Sequence, residues 1–166
     1  MTTVADASPL IFLAKLDSLS LLPRVLGKEI LVPRQVRDEV LAPDVDPAEF
    51  RHLEGFLASC EVVAVRPTSS LAAGLSAADR AALALAMRRK ADVLLCDDRL
   101  LRSLADAEGI RPLGTLGVLL QAARTRVVPP ARIRRAIEDL VGRYGFRIRI
   151  EVYQHVLREL DSMTSS

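Results

Sequence analysis

Ala91-Asp92-Val93-Leu94-Leu95-Cys96-Asp97-Asp98-Arg99 decides the fold of this chain. Val93 to Cys96 are apolar with no polar alternate position, and Asp97-Asp98 stops them at once. So short an unbroken apolar run reads as a strand buried on both faces. A helix over residues 99–108 follows. Upstream, Ser76-Ala77-Ala78-Asp79 has the form of a capping box, with an acid three residues after the Ser, and opens the strongest helix, 80–90.

The alternation extends in both directions. Thr3-Val4-Ala5 reads as a short strand halted by Asp6-Ala7-Ser8-Pro9, and Pro9 suits the first turn of a helix carrying Leu10, Ile11 and Leu13. A second apolar helix runs through Leu19, Leu21, Leu22 and Leu26 to Gly27. Glu29 to Val32 forms a buried strand, and Pro33 begins a helix over 34–41. Asp46-Pro47 opens a helix to about residue 59. A strand over 61–65 ends at Pro67 and the Thr68-Ser69-Ser70 loop. A short strand lies near Pro112-Leu113, and Thr115 caps a helix to about 125. Helices over 131–141 and 151–160 flank Tyr144-Gly145-Phe146. Alternating helices and strands apolar on both faces predict a three-layer α/β/α sandwich around a central parallel sheet. Ligands of such sheets bind beyond the C-terminal strand ends.

At 166 residues the chain suits one domain, 1–166, with 129–166 as a helical C-terminal extension. Folding at this size removes roughly 70% of the unfolded surface from water, so no disulfide or structural metal is required. Aromatics make up 4% and Trp is absent, so Leu, Val, Ile and Ala must fill the core. Cys60 and Cys96 lack metal-ligand spacing and read as buried free thiols. No signal peptide and no apolar stretch near the ~20 residues of a membrane span appear, which predicts a cytoplasmic protein. Net charge is +2, but residues 111–166 hold ten Arg against five acids. That surplus is either a phosphate-binding face or a solvated helical surface.

The acids carry the chemistry. Asp6 follows the first strand, Asp97 and Asp98 follow another, Asp79 lies in the first turn of its helix, and Glu39 follows the second strand. Singly, each reads as a turn or cap residue. Together they imply a cation, because two like charges ~4 Å apart repel by about 4 kcal/mol at an effective dielectric near 20. Hard oxygen donors suit Mg²⁺ or Mn²⁺, which would orient water and stabilise charge on a phosphate; His52 and His155 show no zinc spacing. The implied chemistry is phosphodiester hydrolysis.

Three stretches then carry a resemblance. Val4-Ala5-Asp6-Ala7-Ser8-Pro9-Leu10-Ile11 resembles the opening of PIN-domain proteins, Leu75 to Ala86 is similar to the segment holding their third acid, and Ala91 to Arg99 is similar to their fourth. Gly114-Thr115-Leu116-Gly117-Val118-Leu119 and Gly145-Phe146-Arg147-Ile148 are similar to a branch found near toxin–antitoxin loci. The resemblance covers nearly the whole chain. It implies a metal-dependent ribonuclease of the VapC-like toxin family, often a homodimer held by an antitoxin protein, with RNA as substrate. On that basis Asp6, Glu39, Asp79, Asp97, Asp98 and Ser8 are the catalytic candidates. Asp6, Asp79 and Asp97 would hold Mg²⁺ or Mn²⁺, while Ser8, Thr115 and Arg99 would meet substrate, Ser8 and Thr115 also holding a carboxylate or water in place. Asp97, which directly ends the strand, is preferred over Asp98, and only one of Asp38 and Glu39 can face the site. Members of this branch often carry a second Glu two residues after the third acid, where this chain has Ala81.

Ala81 supports one rival, a PIN-fold interaction protein with a degenerate metal site and no nuclease activity. A phosphate-accepting receiver domain needs a Lys after a late strand, and none of Lys15, Lys28 and Lys90 is so placed. DNA as substrate stays open. Arg88-Arg89-Lys90 reads as a helix C-terminus matched to the macrodipole. Arg132, Arg134 and Arg135 form a denser group suited to RNA or antitoxin.

Overall fold

Each strand is too short to be stable alone and is held by its neighbours in the sheet. A computed structural model describes residues 1–66 and 73–165, so the expected stop at Pro67 and the Thr68-Ser69-Ser70 loop lie outside the described residues. Strands β1 (Thr3–Ala5), β2 (Ile30–Pro33), β3 (Glu61–Val63), β4 (Val93–Leu95) and β5 (Arg111–Leu113) form one all-parallel sheet in the order β3-β2-β1-β4-β5. The helices among the described residues are α1 (Ala7–Lys15), α2 (Leu21–Leu26), α3 (Arg34–Val40), α4 (Pro47–Leu57), α5 (Ala77–Arg89), α6 (Arg99–Ala107), α7 (Thr115–Arg124), α8 (Pro130–Gly142) and α9 (Ile150–Thr164). The architecture is the expected α/β/α sandwich.

β1 and β4 are buried along their whole length, and Val4, Leu94 and Leu95 are wholly inaccessible, which is why β4 carries no polar alternate. α5 packs across β1, β2 and β4. The chain builds outward from β1 to β2 and β3, then returns to place β4 on the other side of β1. That reversal puts the topological switch point between the C-terminal ends of β1 and β4. Ala5 pairs with Leu95, and the Asp6 N–H donates to Leu95 O at 2.9 Å, so the two acid-bearing strand ends are locked in register.

Several boundaries move. The second helix begins at Leu21 rather than Leu19, and β3 ends at Val63 because Val65 turns its carbonyl to Gln35 Nε2, 2.7 Å away. Cys96 lies just past β4 and is fully buried, whereas Cys60 is only half-buried. Burial pushes their thiols up, Cys96 to about 12 and Cys60 to about 11, so both stay protonated near neutrality. Thr115 is not a cap. Gly114 holds that position, and Thr115 begins α7 with its side chain buried. The last helix runs on to Thr164. Ile133, Ile137 and Leu140 of α8 and Val156 and Leu160 of α9 join the main core. Phe146, between those helices, packs edge-on against Phe12 of α1 with ring centroids 4.9 Å apart.

Candidate active site

Asp6 leaves β1 at the position where a helix N-cap would accept from α1, yet its side chain makes no such bond. The residue is 2% exposed, and its Oδ1 is buried without a hydrogen-bond partner, a state shared among the described residues only by the uncharged Thr3 Oγ1 and Gln35 Oε1. An unpaired buried carboxylate is costly, so the group holds its proton. Burial, then the nearby Asp79 and Glu39 carboxylates, raise Asp6 from 3.8 to about 7, with the Ala7 N–H opposing.

Asp79 arrives from the other direction, on the first turn of α5. The capping box is present: Ser76 Oγ accepts from the Asp79 N–H at 3.1 Å, and Asp79 Oδ2 accepts from the Ser76 N–H at 3.0 Å. The cap fixes Asp79 where its carboxyl raises the pKa of Asp6. Cap and site residue are therefore one group. Glu39 is likewise raised, by burial and by Asp79. Its neighbour Asp38 instead accepts from Arg37 Nε at 2.9 Å, so α3 turns Glu39 toward the acids and Asp38 away.

Asp97 is in the opposite condition. Oδ1 accepts from the Thr115 N–H at 2.7 Å, and Oδ2 accepts from Thr115 Oγ1 at 2.7 Å and Ser8 Oγ at 3.1 Å. The Thr115 N–H is one of the orphan donors at the start of α7, so Asp97 caps that helix from another strand. Ser8, two residues past Asp6, ties the end of β1 to that of β4. Asp98 caps α6 through Leu101 N at 2.8 Å and lies on the exposed side. Arg99, next in line, is exposed and faces a cleft of about 460 Å³ that Asp97 also lines.

Sequence reasoning missed Arg102 and Gly114. Arg102 donates to Cys96 O at 3.3 Å and sits against Gly114, where an added Cβ would come within 2.8 Å of Asp97 Oδ1 and 2.9 Å of Arg102. Only a residue without Cβ lets that guanidinium and carboxylate pack together. The signal available was a Gly directly before Thr115. Ala81, at the position of the expected second Glu, is fully buried in the core.

Among the described residues no three His, Cys, Asp or Glu side chains already stand in a metal-holding arrangement. The donor chemistry nonetheless fits a hard divalent cation: Asp6 offers an unpartnered buried oxygen, and Asp79 and Glu39 repel it. A family model described as a PIN domain matches residues 2–162. The chain belongs to the PIN-domain family. PIN domains are generally nucleases that act on nucleic acid and use divalent metal ions. No curated protein matches this one significantly. Among the described residues no helix is long and apolar enough to cross a membrane.

Proposed function

We propose that this PIN domain is a metal-dependent endoribonuclease that hydrolyses RNA phosphodiester bonds. The observation that carries the reading is the partnerless Oδ1 of Asp6, buried beside Asp79 at the switch point of the sheet. Asp6, Asp79 and Glu39 would hold Mg²⁺ or Mn²⁺. When bound, the cation supplies Lewis acidity for a phosphate oxygen and a more acidic water.

The remaining residues act around that centre. Asp97 already accepts three hydrogen bonds, and a carboxylate offers about four lone-pair sites. We assign it to orienting water, with a fourth lone-pair site left for the direct metal contact that the resemblance implies. Ser8 and Thr115 hold it still. Arg99 and Arg102 supply positive charge for the scissile phosphate. The resemblance to the toxin branch extends the proposal to a cytoplasmic homodimer restrained by an antitoxin protein. A single domain over 1–166 with a helical extension over 129–166 belongs to the same reading, supported by the shared core.

The test is incubation of pure protein with labelled RNA in Mn²⁺, Mg²⁺ or chelator, beside Asp79→Asn. Cleavage dependent on both metal and Asp79 is the expected result. The buried Ala81 favours one alternative, an interaction protein without activity. No cleavage, together with no metal binding by calorimetry, is that reading's signature.

A further inference from the structure

We propose that the cleft beside Asp97, walled by the segment joining α8 to α9, is the subsite that holds single-stranded RNA next to the carboxylates. This rests on the nuclease reading and deepens it. The cleft of about 460 Å³ gathers Arg99, Arg102, Arg147 and Arg149 around one acid, Asp97, whose oxygens are turned to Ser8 and Thr115. Arg37, Arg89, Arg124 and Arg134, by contrast, are paired with Asp38, Glu61, Glu159 and Asp161. Arg99, Arg147 and Arg149 make no ion pair among the described residues. Uncommitted cations in a concave site are an electrostatic match for phosphates.

The other half of the lining is apolar. Phe146, Ile148 and Val152 face the same cleft, and Val152 is 38% exposed. Arg147-Ile148-Arg149 alternates cation and apolar side chain, which suits an unpaired strand presenting phosphates and bases together. A duplex would offer backbone alone and leave the apolar wall unused. The wall is anchored: the Phe146 N–H donates to Leu140 O at 2.9 Å, and its ring packs on Phe12. The dense group on α8 is a poorer candidate, because Arg134 is paired with Asp161 and Arg132 and Arg135 share their cleft with Asp17 and Asp139.

The test is fluorescence anisotropy of a short labelled single-stranded RNA, measured in chelator so that no cleavage intervenes. Arg147→Ala/Arg149→Ala should weaken binding at least about ten-fold and lower the salt slope by about 1.4, the value for two lost phosphate contacts on a single strand. Arg132→Ala/Arg135→Ala should stay within about two-fold of the parent. Arg147→Lys/Arg149→Lys should keep most of the salt slope, which shows that charge and not fold is lost. Unchanged binding in the 147/149 pair, or equal loss in the 132/135 pair, overturns the proposal. So does an acidic peptide that binds this cleft when RNA does not. RNA bound through the cleft without cleavage in any metal would sink the nuclease reading alone, and cleavage indifferent to Arg147 and Arg149 would sink this one alone.

Discussion

Two carboxylates stand at adjacent strand ends of one sheet in opposite states. Asp6, after β1, is buried with an oxygen that nothing satisfies and with two further acids nearby. Asp97, after β4, is bound by three donors on two segments of chain. Both follow apolar strands, so the difference comes from what packs around them. Asp6 meets other acids from α5 and α3, whereas Asp97 meets a helix N-terminus. On the proposed reading a cation would complete the carboxylate left without partners, while the saturated one positions something else.

The sharpest way to break that contrast is activity. Asp79→Asn should lower metal-dependent RNA cleavage by about 1,000-fold, equivalent to about 4 kcal/mol in the barrier. The metal-free fold should stay within about 1 kcal/mol, because an Asn oxygen still accepts from the Ser76 N–H and one repulsive charge is gone. Full activity in that variant would leave Asp79 as a cap alone.

The next effect is on stability against pH. Folded Asp6 holds its proton to about pH 7, while the unfolded group releases it near its ordinary value of 3.8. Between those values the folded state binds more protons, so in chelator stability is greatest on the acid side and falls by a few kcal/mol as pH rises toward 7. Asp6→Asn should flatten the slope and raise metal-free stability at pH 7.5. Chemical denaturation at several pH values measures both. A parent slope of zero would mean that Asp6 is not held protonated by its surroundings, and the starved half of the comparison would fall.

Much of this was legible in sequence. The unbroken apolar run at Val93 to Cys96 and the Ser76-to-Asp79 spacing each report a local constraint, and β4 and the capping box followed. Convergence was not legible, because order along the chain carries no distance: that Asp79 turns to Asp6, or Glu39 rather than Asp38, is set by helix packing. Thr115 was legible as a helix-start residue and, through the resemblance, as one holding a carboxylate or water. Which carboxylate was not legible, since Asp97 lies 18 residues upstream on another strand end. Of the cleft wall only Gly145-Phe146-Arg147-Ile148 was visible, as a resemblance, because its meaning depends on how the segment joining α8 to α9 packs.

On the saturated side, Thr115→Val keeps the shape and removes one donor. It should cost about 1.5–3 kcal/mol, the range for losing a hydrogen bond to a charged group, and leaves Oδ2 to Ser8 alone. Asp6→Asn and Thr115→Val therefore move metal-free stability in opposite directions at pH 7.5. Thermal melts of the two variants side by side would show it, and a shift of the same sign would erase the distinction between the two carboxylates.

The smallest effect concerns Asp98, which shares its strand end with Asp97 but faces the other way. Its Oδ1 caps α6 through Leu101 N, so Asp98→Ala should cost about 1 kcal/mol and leave cleavage per folded molecule unchanged. The prediction matters because sequence only leaned to Asp97 between the two acids. A lone cap failing would loosen the first turn of α6 without moving Asp97, whose donors come from α1 and α7. Loss of cleavage beyond the fraction unfolded would instead place Asp98 in the site, and it would be Asp97, with its lone pairs nearly filled, that is purely structural.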